Sequence, residues 1–238
     1  ISNFGDINFN DERYRKSFFI NSLFVSANTR KSANSHYGDY IPIFLSQIPQ
    51  LFKSNILPVD VAIIHVSPPD KHGYCSLGTS VDIARAAVEV AKHIIAQVNP
   101  KMPRTHGDSF IHISEIDSMV WHEVDLPEVN YENAANNSIE QIGKNIAELI
   151  DDGSTIQLGI GTIPDQVLKN LTNHKNLGLH TEMLSDGVIP LIKNGAINNS
   201  QKKMNKGKSV TSFMAGTRKL YDFVDDNPEI EVLDISYV

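Results

Sequence analysis

The sequence predicts an α/β fold with a mostly parallel sheet and flanking helices. Three observations carry this expectation. Short β-branched runs alternate with stretches of helical period along much of the chain. Gly, Pro, Asn and Asp stand between the two kinds of segment, where turns are needed. One apolar run also ends in Gly159-Ile160-Gly161 directly before a helical stretch, which is the junction of a βα unit.

The first stretch, to about Asn55, mixes aromatic and polar residues. Phe18-Phe19-Ile20, Leu23-Phe24-Val25 and Ile41 to Leu45 are short runs suited to strands, and Ser46 to Phe52 suits one or two helical turns. Val59 to Val66 is a β-branched strand stopped by Ser67-Pro68-Pro69-Asp70. Val81 to His93 has helical spacing, Ile94 to Val98 reads as the next strand, and Phe110 to Ile113 as another. The polar segment Asp125 to Asn137 reads as a connection. A helix then begins at Ser138, with Ser138 and Gln141 spaced as a capping box and Ile139, Ile142, Ile146 and Leu149 on one face. Ser154 to Leu158 is a strand, and Thr162 is placed to cap a helix carrying Pro164 in its first turn and an apolar stripe of Ile163, Val167, Leu168 and Leu171. Leu177 to His180 is a short strand that delivers Thr181-Glu182-Met183.

The totals narrow the function. The 238 residues are 41% hydrophobic and 21% charged, with a net charge of -7. That balance lacks the basic face of a nucleic-acid binder. No apolar run approaches the about 18–20 residues of a membrane-spanning helix, and the opening residues lack the positive-then-apolar layout of a secretory signal. Cys75 is the single cysteine, which excludes an intrachain disulfide and fits a reducing compartment such as the cytoplasm, or the mitochondrion in a eukaryote. The nine histidines show no metal-ligand spacing, so no metal site is expected. His65 and Cys75 read as packed residues, and Lys202, Lys203, Lys206 and Lys208 as a solvated basic loop.

The glycine turn is the first candidate site. Glycines let a ligand approach the backbone, and the following helix offers unpaired N–H groups to phosphate or carboxylate. Pro164 occupies the place of a third dinucleotide-fingerprint glycine, and Lys202 the place of the first Walker A glycine before Gly207-Lys208-Ser209, so both of those motifs are excluded. A βα turn that needs two glycines only for its shape is the competing reading. Glu182 lies one βα unit later. If the two strands pair in parallel, it stands at the strand ends where open α/β sheets bind ligands. Its competing reading is an ordinary surface glutamate.

Several motifs together resemble the acetyl-CoA hydrolase/transferase family, closest to its 4-hydroxybutyrate (or butyrate) CoA-transferase branch. They are Val66-Ser67-Pro68-Pro69-Asp70-Lys71-His72-Gly73-Tyr74-Cys75, then Gln157-Leu158-Gly159-Ile160-Gly161 with Ile163-Pro164-Asp165, then His180-Thr181-Glu182-Met183 with Ser185-Asp186-Gly187, and Met214 to Phe223. The resemblance implies a CoA-transferase-like fold of paired α/β domains. Residues 1–130 would be part of the N-terminal domain and 131–238 the start of the C-terminal one. It implies a CoA-binding loop of Gly159, Ile160, Gly161, Thr162 and Ile163, with Glu182 as the nucleophile that forms a glutamyl-CoA thioester. CoA would be a substrate and no cofactor permanently bound. The partners would be an acyl-CoA and a short-chain carboxylate, with a homo-oligomer as a further possibility. Acetyl-CoA hydrolysis by the same nucleophile and a non-catalytic CoA-binding module are the alternatives. The chain opens without Met at Ile1 and stops at Asp234 to Val238 in what reads as a strand. The expectation is therefore a fragment, inactive alone, with an apolar face exposed near Glu182 or a partner covering it.

Overall fold

A computed structural model of the chain describes residues 12–130 and 136–238. The opening residues Ile1 to Phe4 and the middle of the 125–137 connection lie outside the described residues. The chain divides into two compact units, 1–48 and 49–238.

In the first unit, β1 (Ile20–Ser22) and β2 (Gly38–Tyr40) pair in parallel, Ile20 opposite Gly38, around the single-turn helix α1 (Arg30–Ala33). The runs Leu23-Phe24-Val25 and Ile41 to Leu45 are not strands, and a 3-10 turn occupies Leu45–Gln47. The helix α2 (Ile48–Lys53) follows, where one or two helical turns were expected.

The second unit begins with β3 (Val61–Val66) and continues through β4 (Tyr74–Ser76), α3 (Ala84–Val90), β5 (His93–Val98), β6 (His106–Gly107), β7 (Phe110–His112) and β8 (Ser118–Trp121). Strands β3, β5 and β8 form a parallel sheet in that order, with Val61 opposite His93 and Ile95 opposite Ser118. Period-two alternation puts Ala62, Ile64, Val66, Ile94, Ala96 and Val98 into the core. The opposite face leaves Val61, Ile63 and Val120 exposed. The β3–β4 loop holds the Pro68-Pro69-Asp70 motif. There Asp70 Oδ1 accepts from the N–H groups of His72 (2.8 Å) and Tyr74 (3.0 Å), while Arg104 donates to Oδ2 at 2.8 Å. These backbone bonds, with the arginine's charge beyond them, hold the Asp70 carboxyl below its usual range. This motif is a turn lock.

The remaining elements are α4 (Asn137–Ala147), β9 (Thr155–Ile156), α5 (Thr162–Lys169), β10 (Gly178–Leu179), β11 (Met183–Leu184), α6 (Val188–Lys193), β12 (Ser209–Thr211), β13 (Phe213–Met214), α7 (Arg218–Val224) and β14 (Ile230–Val232). Strands β12, β14 and β6 form a parallel sheet, and β9 pairs with β10. A parallel bridge between His180 and Val210 joins the two sets, giving the order β9-β10-β12-β14-β6. Residues on both sides of position 130 therefore share one layer.

Three local expectations change. The cap of α4 is Asn136, whose side chain accepts from the Ile139 N–H at 3.0 Å, in place of the Ser138–Gln141 box. The helix docks on α5 through Gly143, where a Cβ would meet Gln166 at 2.9 Å, and through the buried Ala147. Close approach needs small residues, so the bulky stripe is turned outward: Ile142 is 40%, Ile146 37% and Leu149 82% exposed. At the C-terminus, Asp234 Oδ1 accepts from the Ser236 N–H (2.8 Å) and bends 235–237 into a turn where a strand was expected.

The third change concerns Lys202, which is buried and not part of a solvated loop. Its Nζ donates to the carbonyls of Leu179 (2.8 Å) and Lys208 (2.7 Å). Beside it, Asn199 Oδ1 accepts from the Leu179 N–H (2.8 Å) and Nδ2 donates to Ser209 Oγ (3.0 Å). These two side chains bridge β10 to the start of β12, beside the short His180–Val210 backbone bridge. Burial lowers the Lys202 pKa from 10.5 to about 8, against the opposing pull of Glu231. The folded chain then binds fewer protons than the unfolded chain between these values, so this group adds stability as pH rises from about 8 to 10.5. In urea unfolding, the stability of wild type relative to Lys202→Met is expected to increase from pH 8 to pH 10. A pH-independent difference would contradict the buried charge.

Candidate functional site

The site is built where β9 and β10 end side by side. Gly178 pairs with Thr155 and Leu179 with Ile156, and the His180 N–H donates to the Ile156 carbonyl at 3.1 Å. The parallel pairing that the sequence reading made a condition is present. Past the strand ends, Thr181 takes over. Its hydroxyl oxygen accepts from the Leu158 N–H at 3.0 Å and lies 3.0 Å from the Leu158 carbonyl, to which it donates. One buried hydroxyl thus ties the residue before Gly159 to the residue before Glu182.

Glu182 is held through its backbone. Its carbonyl accepts from the N–H groups of Ser212 (3.0 Å) and Phe213 (3.1 Å) and from the Thr211 hydroxyl (3.2 Å). Beyond it β11 pairs in parallel with β13, Met183 opposite Phe213. The side chain is half-buried and, among the described residues, its carboxylate accepts no hydrogen bond. Burial, followed by the negative charge of Asp82, pushes the Glu182 carboxyl above its usual range. The result is a basic carboxylate with free lone pairs.

Gly161 rather than Thr162 is the residue before α5, at φ 114° and ψ −174°, with no side-chain cap, and Thr162 is the first helical residue. An unoccupied N-cap leaves the first N–H groups of the helix open to a ligand. Ile160 and Ile163 point outward, 59% and 41% exposed, so Ile163 is not part of the buried stripe formed by Val167, Leu168 and Leu171. An apolar surface therefore borders the turn. The helix is docked from behind: the buried Asp165 accepts from Ser185 Oγ at 2.9 Å. Next in sequence, Asp186 accepts from the Thr217 N–H (2.8 Å) and hydroxyl (2.7 Å). The Ser185-Asp186-Gly187 motif thus locks α5 on one side and the Gly216-Thr217 turn on the other. Cys75 is buried, and burial pushes its thiol up to about 11.

The structure brings Gly159, Ile160, Gly161, Thr162, Ile163 and Glu182 to one sheet end. The sequence reading missed Asp82, Ser212 and Lys202, whose roles depend on contacts between distant segments. For Lys202 a faint signal existed, because a lysine bordered by the turn residues Asn199 and Asn205 can fold inward.

Comparison with known proteins decides the family. A model described as "Acetyl-CoA hydrolase/transferase N-terminal domain" matches residues 2–128. The chain belongs to the acetyl-CoA hydrolase/transferase family. The candidate site lies beyond the matched residues. A 4-hydroxybutyrate coenzyme A transferase of Clostridium kluyveri is 52% identical over 95% of this chain and 53% of its own. Among solved structures, a 4-hydroxybutyrate CoA-transferase from Porphyromonas gingivalis superposes with a TM-score of 0.82 at 38% identity, over 94% of this chain and 59% of its own. RipA from Yersinia pestis superposes with a TM-score of 0.91 at 32% identity, over 96% and 55%. The chain thus has the CoA-transferase α/β fold, and it spans about half the length of the curated relatives it matches.

The two glycines of the family turn differ in what they tolerate. Gly161 has open space around it but a φ that L residues rarely adopt, whereas at Gly159 a Cβ would meet only Pro164, at 3.7 Å. Gly161→Ala is expected to lower stability by about 1–3 kcal/mol from backbone strain. Gly159→Ala should change it by less than about 1 kcal/mol. Urea midpoints of the two variants check this ordering.

Proposed function

We propose that the chain carries the nucleophile and CoA-binding turn of a CoA-transferase that moves CoA between a short-chain acyl-CoA and a carboxylate such as acetate, butyrate or 4-hydroxybutyrate. The observation that carries the reading is the half-buried Glu182 carboxylate, free of hydrogen bonds among the described residues and linked through Thr181 to a turn with an uncapped helix start. The activities named for the related transferases supply the reaction class.

Glu182 attacks the thioester carbonyl carbon; the new C–O bond forms, the C–S bond breaks, and CoA thiolate leaves an acyl-glutamyl anhydride. The thiolate then attacks the glutamyl carbonyl and releases the product carboxylate, leaving a glutamyl-CoA thioester. The acceptor acid reverses both steps. Each step consumes one anion and releases one, so no proton moves and no general acid or base is required. The covalent route divides one difficult exchange into easier ones. N–H groups of the Gly159–Ile163 turn suit the oxyanions of the two tetrahedral intermediates. The exposed Ile160 and Ile163 give the pantetheine arm an apolar wall.

In the full-length protein, Glu182→Ala is expected to reduce CoA exchange by about 10⁴-fold or more, the scale on which loss of a nucleophile acts. Borohydride after acetyl-CoA should mark Glu182 in wild type. Near-normal exchange in the variant would sink the assignment. CoA transfer to butyrate identifies the transferase, whereas free thiol released at a rate independent of butyrate identifies the hydrolase. CoA affinity of Gly159→Ala adds a third readout: a fall in affinity at unchanged stability places ligand at the turn, and unchanged affinity leaves the glycine a role in shape alone.

A further inference from the structure

Asp82 has no part in the reaction as written, yet it is a carboxylate only 4% exposed. It precedes α3 in a segment bound to Ser212, which is itself bound to the Glu182 backbone. The N–H groups of Val81 and Asp82 both donate to the Ser212 carbonyl at 3.1 Å, and the Ser212 N–H donates to the Glu182 carbonyl at 3.0 Å. Ser80 bridges Phe213 in antiparallel fashion, and the Met214 N–H donates to the Thr79 carbonyl at 2.9 Å. A single residue, Ser212, therefore stands between the two carboxylate-bearing backbones.

Burial works against a charge on Asp82, and local donors offset part of that cost. Its Oδ1 accepts from the Ile83 N–H (2.7 Å) and the Ser80 hydroxyl (3.0 Å), and among the described residues it makes no ion pair. The charged groups on neighbouring elements are engaged elsewhere. Arg85, one turn along α3, donates to Glu89 (2.9 Å) and the Phe110 carbonyl (2.8 Å). Asp165 and Asp186 accept from Ser185 and Thr217, Arg218 donates to Asp222, and Asp234 Oδ1 accepts from Ser236.

We propose that Asp82 is a second carboxylate of the site, a positioning residue whose repulsion of ionised Glu182 is relieved when Glu182 becomes an anhydride or a thioester. This rests on Glu182 being the nucleophile. The physical logic is that of two like charges near one another in a partly desolvated place: the pair resists double ionisation. Acylation converts the Glu182 carboxylate to a neutral carbonyl and removes one of the two charges. Asp82 then raises the energy of the free enzyme relative to both covalent intermediates, and it makes Glu182 more basic while it is free. The upward displacement of the Glu182 carboxyl, caused by burial and then by Asp82, agrees in sign. Burial likewise pushes Asp82 up, while the donors Ile83, Ser80 and Ala84 favour the charged form.

The test is Asp82→Asn in the full-length protein, which keeps an oxygen acceptor for Ser80 and Ile83 and removes the charge. The acid limb of the kcat/KM profile for CoA exchange is expected to move to lower pH. The share of enzyme trapped by borohydride as the Glu182 thioester, at fixed acetyl-CoA, should fall. A profile and a trapped share identical to wild type would overturn the proposal. Should the variant not fold, a ¹³C-carboxyl titration of wild type gives the second measurement. Glu182 is expected to titrate with two inflections, one of them shared with Asp82, and a one-site Glu182 curve would overturn it. The nucleophile reading fails separately: borohydride would then leave Glu182 unmarked in wild type, whatever the two titrations show.

Discussion

The site depends on one hydroxyl. Strands β9 and β10 are only two residues long, so their ladder alone cannot carry alignment as far as Gly159 on one side and Glu182 on the other. Thr181 extends it by hydrogen bonding to both the N–H and the carbonyl of Leu158. Serine could make the same bonds, but a β-branched residue is stiffer at χ1 and holds the hydroxyl with less loss of freedom on folding. On the far side of Glu182, the three donors to its carbonyl fix the next peptide. Glu182 is thus clamped through main chain at both ends while, among the described residues, its carboxylate accepts no hydrogen bond. That division leaves the carboxylate open to a ligand without a hydrogen bond to break first.

Several strands and the place of the candidate site in the fold were legible in sequence for a local reason. Val59 to Val66 and Ile94 to Val98 carry their β-branched signal in consecutive residues, and both are strands, β3 and β5. The glycine turn and Glu182 were legible because a βα unit brings successive strand ends together by topology alone. What stayed hidden depends on packing partners. The stripe of α4 follows the helical period, but the helix docks through Gly143 and Ala147, because close approach to Gln166 outweighs the burial of its isoleucines. Thr162 looked like a cap, but a glycine at φ 114° ends the turn one residue earlier. Val81 and Asp82 looked helical, but the Ser212 carbonyl draws their N–H groups away from α3.

Electrostatics gives the site a particular character. Acidic groups gather around the strand ends, with Asp82, Asp165, Glu182 and Asp186 within a few bonded residues of one another, and hydroxyls and backbone N–H groups meet most of their charge. Hydroxyl and amide donors are neutral, so they stabilise anions without cancelling them. Lys202, the buried cation on the same layer, spends its donors on the carbonyls of Leu179 and Lys208.

The outward stripe of α4 has a consequence for how the chain behaves in solution. Ile142, Ile146 and Leu149 form a contiguous greasy ridge on a molecule of net charge -7. At low ionic strength that charge keeps copies apart, because the repulsion reaches about 10 Å at 0.1 M salt. Sulfate acts on both sides of this balance. It screens the repulsion and, being excluded from protein surface, strengthens apolar association. An Ile146→Lys change would put a charge in the middle of this stripe and is expected to widen the usable salt range without touching Glu182.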